Sequence, residues 1–417
     1  MSALMAGCGA KESPDDGGGA GGDLSTASAP VEEPMDGTFG ADVALLTEHT
    51  DALVLSDDAG QAQVVVVPAY QGRVMTSTTG GAAGPSFGWI NRALIASGKT
   101  LDHMNPYGGE DRFWLGPEGG QFALFFKTGD PFEFDYWQTP AVIDTEPFEV
   151  TARSQNSVTF EKDASLTNYS GTEFTFRVVR AVNLIDANRA ASLLGVGGMT
   201  GVDMVAYETV NNLSNTGPAA WEKETGLLSI WILGMFNPSP ETTVVIPFKQ
   251  GSEDELGPKV NDTYFGKVPL DRLRVEDNRL FFRGDGTYRS KIGVSPMRAK
   301  PVCGSFDAGG KVLTIVQFNL PEGATDYVNS MWEVQDAPYD GDVVNSDNDG
   351  PPEPGADPMG PFHELETSSP AAALAPGESI THIHRTFHFQ GDESALNEIA
   401  TGVLGVSLEA IEGAFAP

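Results

Sequence analysis

Short apolar runs broken by turn residues recur along most of this chain. Residues 64–67 (four valines) end at Pro68, a Gly72 turn follows, and residues 73–78 resume the pattern, which predicts a β-hairpin. Comparable β-rich runs occupy residues 121–126, 157–161, 173–185, 206–213, 227–233, 243–248, 279–283, 312–318 and 379–389. In residues 172–180, Phe174, Phe176 and Val178 fall on one face and Glu173, Thr175 and Arg177 on the other, the period of a half-buried strand. Helical signals are few. Residues 87–96 read as a helix closed by Gly98, and residues 392–402 and 407–413 as terminal helices capped by Asp392 and Ser407. Residues 336–361, rich in Asp, Gly and Pro, read as one long irregular loop. About fifteen strands with no linker between them predict a single, mainly β domain over residues 38–417, built from two large antiparallel sheets with a few short helices.

Composition narrows the function. The 417 residues carry 58 acidic and 25 basic side chains, a formal net charge of −33, which excludes a nucleic-acid partner. Two cysteines exclude a disulfide framework. Residues 1–37 have almost nothing to bury and read as a disordered tether. Within them, Leu4-Met5-Ala6-Gly7-Cys8 resembles the remnant of a bacterial lipoprotein signal, with Cys8 as the lipidated residue. That implies a protein of the cell envelope, periplasmic or outer-membrane facing, which meets the membrane only through its lipid anchor. It leaves Cys303 as a buried thiol.

Several clusters carry candidate chemistry. Residues 107–114 combine Tyr107, Glu110, Asp111, Arg112 and Trp114 with two glycines. Carboxylates and arginine bond sugar hydroxyls, and aromatic faces take the apolar face of a sugar ring. Glu118 reads as part of a tight turn. His382, His384 and His388 share one face of a strand, with His363 nearby, a pattern that suits polar contacts or a transition metal. Asn345, Asp347 and Asp349 spell the first half of a calcium loop, without the closing glutamate and with Asp340, Asp342 and Asp357 as further oxygen donors. Arg289 and Lys291 open a short basic cluster that extends to Lys300, and Lys291 would suit an anionic sugar.

Four stretches resemble the galactose-mutarotase-like (aldose 1-epimerase-like) superfamily, over about residues 52–389: VVVVPAYQGRVMTST, NPYGGEDRFWLGPEGGQFALFF, ETVNNLSNTGPAAW and HELETSSPAAALAPGESITHIHRTFHF. The last is similar to the superfamily's ending, with Leu365-Glu366-Thr367-Ser368, Pro370-Ala371, the Leu374–Glu378 turn and Thr386-Phe387-His388-Phe389 in order. The resemblance implies a β-supersandwich with a mono- or oligosaccharide site on a concave sheet face, no required cofactor, and Glu366 as the base that deprotonates the anomeric hydroxyl. The superfamily's acid is a histidine, and residues 226–236, where it is expected, contain none. A second histidine position reads Tyr107-Gly108-Gly109. His382 or His384 is then the candidate replacement acid. Three functions remain open: an aldose-epimerase-type isomerase, a non-catalytic glycan-binding envelope lipoprotein, and a lyase or isomerase of acidic saccharides. The oligomeric state is not legible.

Overall fold

A computed structural model describes residues 37–415 except 353 and 354. Cys8 and the rest of the tether lie outside the described residues. The predicted class is observed: eighteen strands form three antiparallel sheets, with a few short helices. The largest has ten strands, in the order Leu273–Val275, Arg279–Arg283, Thr242–Pro247, Val302–Asp307, Val312–Phe318, Ser379–Gly391, Val202–Asn215, Glu173–Leu184, Ser157–Thr167 and Glu149–Arg153. A five-stranded sheet runs Ser290–Val294, Val344–Asn348, His363–Ser368, Ser229–Phe236 and Arg112–Gly116. The valine hairpin, with Leu53–Ser56, makes a third sheet of three strands.

The alternation read in the sequence sets which face is buried. Phe174, Phe176 and Val178 are buried while Glu173 and Arg177 are exposed. These side chains share a core with Phe113, Leu115, Ile230 and Ile232 from one face of the five-stranded sheet. The outer face of the large sheet presents Phe281, Phe306, Ile315, Phe387 and Phe389, and is covered by Leu396, Ile399, Leu408 and Ile411 of the C-terminal helices. Cys303 is unpaired and buried, as expected, and burial pushes its thiol up to about 12.

Some elements differ from expectation. The helix predicted over residues 87–96 starts only at Arg92, where the Asn91 side chain accepts from the Leu94 amide, and ends at Gly98 at φ +60°. Its first residues are instead extended, because Gly88 and Ile90 bridge to Phe236 and Gly108. Helices Phe39–His49 and Ala187–Leu194 were not predicted. The long acidic loop contains the strand Val344–Asn348, which pairs on both sides. Its Asn and Asp residues are poor strand formers, so the neighbouring strands, not local propensity, hold it extended.

Candidate functional site

The five-stranded sheet has two faces, and they do different work. Residues directly opposite in antiparallel strands point to the same side. The pairs Lys291–Asp347, Asn345–Glu366, Glu366–Leu233 and Leu233–Arg112 therefore put Lys291, Asp347, Asn345, Glu366 and Arg112 on one face. Glu364, Trp231 and Trp114 join them by the period of two. Thr367, Leu365 and His363 point the other way, toward the ten-stranded sheet.

The first face floors a cleft with a larger chamber of about 780 Å³ and an adjoining one of about 370 Å³. Lys291 Nζ donates to Glu366 Oε1 at 2.7 Å and Oε2 at 3.0 Å, and Trp231 Nε1 donates to Oε2 at 2.9 Å. Arg112 lies 3.3 Å from Glu364 and stacks 4.1 Å over the Trp114 ring. Asp347, Glu364 and Glu366 offer oxygens that all lie within 4.8 Å of one another, which is the one such cluster found among the described residues. Three carboxylates so close cannot all remain charged at low cost. Burial pushes Asp347 up to about 7, against the pull of Lys291. Burial also lifts Glu364 well above the usual carboxylate range, and the charge of Glu366 adds to it. Lys291 responds in the opposite sense: burial works against its charge, but Glu366 and Asp347 outweigh that and hold the ammonium above its ordinary value. The carboxylate cluster could hold a cation, and here the Lys291 ammonium sits on Glu366 and the Arg112 guanidinium on Glu364.

The predicted site residues divide cleanly. Glu366, Lys291, Arg112 and Trp114 come together on the cleft floor. Glu366, however, is 0% exposed beneath Lys291 and Trp231, so Lys291 is the group that meets the cavity. His382 and His384 do not reach Glu366. They lie between the sheets, 2.8 and 2.9 Å from Thr367 Oγ1, and adjacent strand residues such as Glu366 and Thr367 point to opposite faces. Burial lowers His382 to about 3 and His384 to about 4, so both are neutral, and neither stands where it could act as an acid beside Glu366. Glu110 is likewise interior, accepting from Ser77, Tyr207 and His388, and Asp111 is bound to Arg180 at 2.7 Å and Thr209 at 2.8 Å. Tyr107 stacks on Tyr70 at 4.0 Å, away from the cleft. The calcium loop is not formed. Asn345 and Asp347 lie on an extended strand, where alternate residues line up along a face instead of curling around an ion, and Asp349 follows it, accepting from the Gly360 amide.

The structure adds further residues to the cleft, among them Glu118, which the sequence assigns to a tight turn. Glu118 lines both chambers, and burial raises its carboxyl. Glu364 was legible as the residue two positions from Glu366. Trp137, Trp231 and Trp332 carry no local motif, and only the folded chain brings them to one cavity. Trp114 Nε1, Ser229 Oγ and Arg112 Nε are buried without a hydrogen-bond partner among the described residues. Each such group costs about 1–3 kcal/mol unless something accepts from it.

Three solved structures are among those with a similar fold. They are the Slr1438 protein from Synechocystis sp. PCC 6803 (14% identity, TM-score 0.47, 82% of this chain and 96% of that one), a galactose mutarotase-like protein from Lactobacillus casei ATCC 334 (10%, 0.46, 81% and 100%) and a galactose mutarotase related enzyme from Lactobacillus acidophilus (11%, 0.44, 82% and 97%). Similarity this remote leaves function to be read from the site itself. No curated protein sequence matches this chain. Residues 37–415 match the family of unknown function DUF6786, and the chain belongs to that family.

Proposed function

We propose that the cleft binds a carbohydrate and that Lys291, held in place by Glu366 beneath it, reads its hydroxyls. One observation carries this: a charged pair, Nζ to Oε1 at 2.7 Å, sits on the floor of a cavity of about 780 Å³ walled by Trp137, Trp231 and Trp332. Aromatic faces take the apolar face of a sugar ring, and the lysine ammonium donates to its hydroxyls. Buried indole and hydroxyl donors without partners suit the same ligand. Calorimetric titration with neutral sugars tests the reading. Saturable binding that Lys291→Met weakens supports it, and no heat with any sugar sinks it.

A second reading, anomer interconversion, draws on the Asp347 carboxyl held up near 7 beside Glu366. Once Lys291 moves off Glu366, that carboxylate takes the proton of the anomeric hydroxyl while protonated Asp347 gives its proton to the ring oxygen. The bond from the anomeric carbon to the ring oxygen breaks, the open-chain aldehyde turns, and closure on its other face returns both protons. NMR exchange between α and β anomers tests this: the wild type accelerates exchange, and Glu366→Gln loses roughly 10²-fold or more. No acceleration by the wild type leaves binding alone. The envelope location is proposed on the Cys8 segment. Mass spectrometry of the membrane fraction should find an acylated N-terminal peptide, and Cys8→Ser should release the protein into the soluble fraction.

A further inference from the structure

We infer that the cleft takes a neutral oligosaccharide that spans both chambers, a reading that rests on the carbohydrate function proposed above. The larger chamber, at about 780 Å³, is roomier than a single sugar ring requires, and a second of about 370 Å³ adjoins it. Trp137, Trp231, Phe265 and Lys291 line both, so the charged pair stands at the junction and not at a dead end.

Each chamber has its own platform and its own unanswered donors. In the larger, Trp332 stacks against Trp137 at 6.0 Å and 23°, and Ser229 Oγ is buried without a partner. In the smaller, Trp114 lies beneath the Arg112 guanidinium at 4.1 Å, and both Trp114 Nε1 and Arg112 Nε lack partners. These residues are at least nine-tenths buried: Ser229 is 0% exposed, Trp114 3% and Arg112 4%. Consecutive rings of a chain bring hydroxyls to both chambers at once. Apolar surface continues outward at the rim, where Phe265 is 42% and Leu101 47% exposed.

Charge selects among glycans. The larger chamber is lined by Glu118, Glu133, Asp135, Glu333 and Asp342 against Arg289 and Lys291 only. That excess of carboxylates repels a uronate-bearing chain and accepts hydroxyls, which places the ligand among neutral sugars.

Titration of the whole protein with glucose, galactose and mannose, and with their di-, tri- and tetrasaccharides, tests this by calorimetry and tryptophan fluorescence. Affinity should rise roughly tenfold or more from the monosaccharide to the tri- or tetrasaccharide of the preferred series. Oligouronates of the same length should bind more weakly. Trp332→Ala in the larger chamber and His103→Ala in the smaller remove half-buried side chains that line the cleft. Each should lower tetrasaccharide affinity by a larger factor than monosaccharide affinity. Saturable monosaccharide binding with no gain from chain length overturns the oligosaccharide inference and leaves the carbohydrate reading standing. Tighter binding of oligouronates overturns the neutral assignment. No binding of any sugar overturns the carbohydrate reading itself.

Discussion

Asp111 and Asp347 are both carboxylates enclosed by this fold, and their surroundings could hardly differ more. Asp111, in the layer between the sheets, is 0% exposed and accepts from Arg180 and Thr209, while Arg180 also donates to Gly72 O and Asn211. Around it, Glu110 accepts from three residues, Ser77, Tyr207 and His388, and the two histidines share Thr367. Asp347 faces the cleft within a crowd of carboxylates that has one lysine close by. Glu110 and Asp111 have spent their hydrogen-bonding capacity inside the fold, while ring nitrogens of His363, His382 and His384 and the Thr386 hydroxyl stay without a partner there among the described residues. The cleft floor keeps some unspent, and a ligand can use only what is unspent. Residue type alone therefore does not mark a site; Glu110 and Asp111 look as chemical as Glu364 and Asp347.

The sharpest way to break this contrast is to remove one partner in the interior. Arg180→Met leaves the Asp111 charge buried and unpaired and should cost about 3–5 kcal/mol in urea denaturation, enough to threaten folding. An effect below 1 kcal/mol would mean the layer is wetter than described. Next, Lys291→Met should keep the fold by circular dichroism yet lower sugar affinity by roughly tenfold or more. Equal affinity would remove the charged pair from the site.

The two regions should also respond to pH with opposite signs. His363, His382 and His384 fall to about 3, 3 and 4 through burial, below the unfolded value near 6.5. Their contribution is complete above pH 6.5 and is lost as pH falls toward 3–4, by roughly 1 kcal/mol per pH unit per group. Asp347 rises from 3.8 to about 7, so its contribution is complete below 3.8 and is lost as pH climbs through 7. Stability against pH should therefore form a dome, and His382→Gln should flatten its acid limb only. An unchanged limb would contradict the neutral, buried histidine. Last, Asp347→Asn should stabilise at pH 8, where the raised carboxyl is charged at a cost, whereas Asp111→Asn destabilises at the same pH. Thermal melts of both variants give the comparison; matching signs would erase it.

Much of the fold was legible because period-two alternation is local. Phe174, Phe176 and Val178 declare their buried face without reference to any partner. Asp392, Ser407 and Gly98 marked helix ends for the same reason. The strand Val344–Asn348 was not legible, since its extended form comes from the strands on either side. Within the candidate site, the ending that resembles the mutarotases pointed to Glu366, and the basic cluster pointed to Lys291. The sequence could not tell that the second caps the first, because 75 residues separate them.

What the sequence determined by itself was a class of fold, the polarity of its strands and a set of candidate side chains. Tertiary structure decided which candidates share a face. On a strand, a shift of one residue moves a side chain from the cleft to the core, and this separates Glu366 from Thr367 and the histidines bound to it. Across strands, the register that sets Asn345 beside Glu366 and Asp347 beside Lys291 depends on pairings between distant segments, which no local pattern encodes.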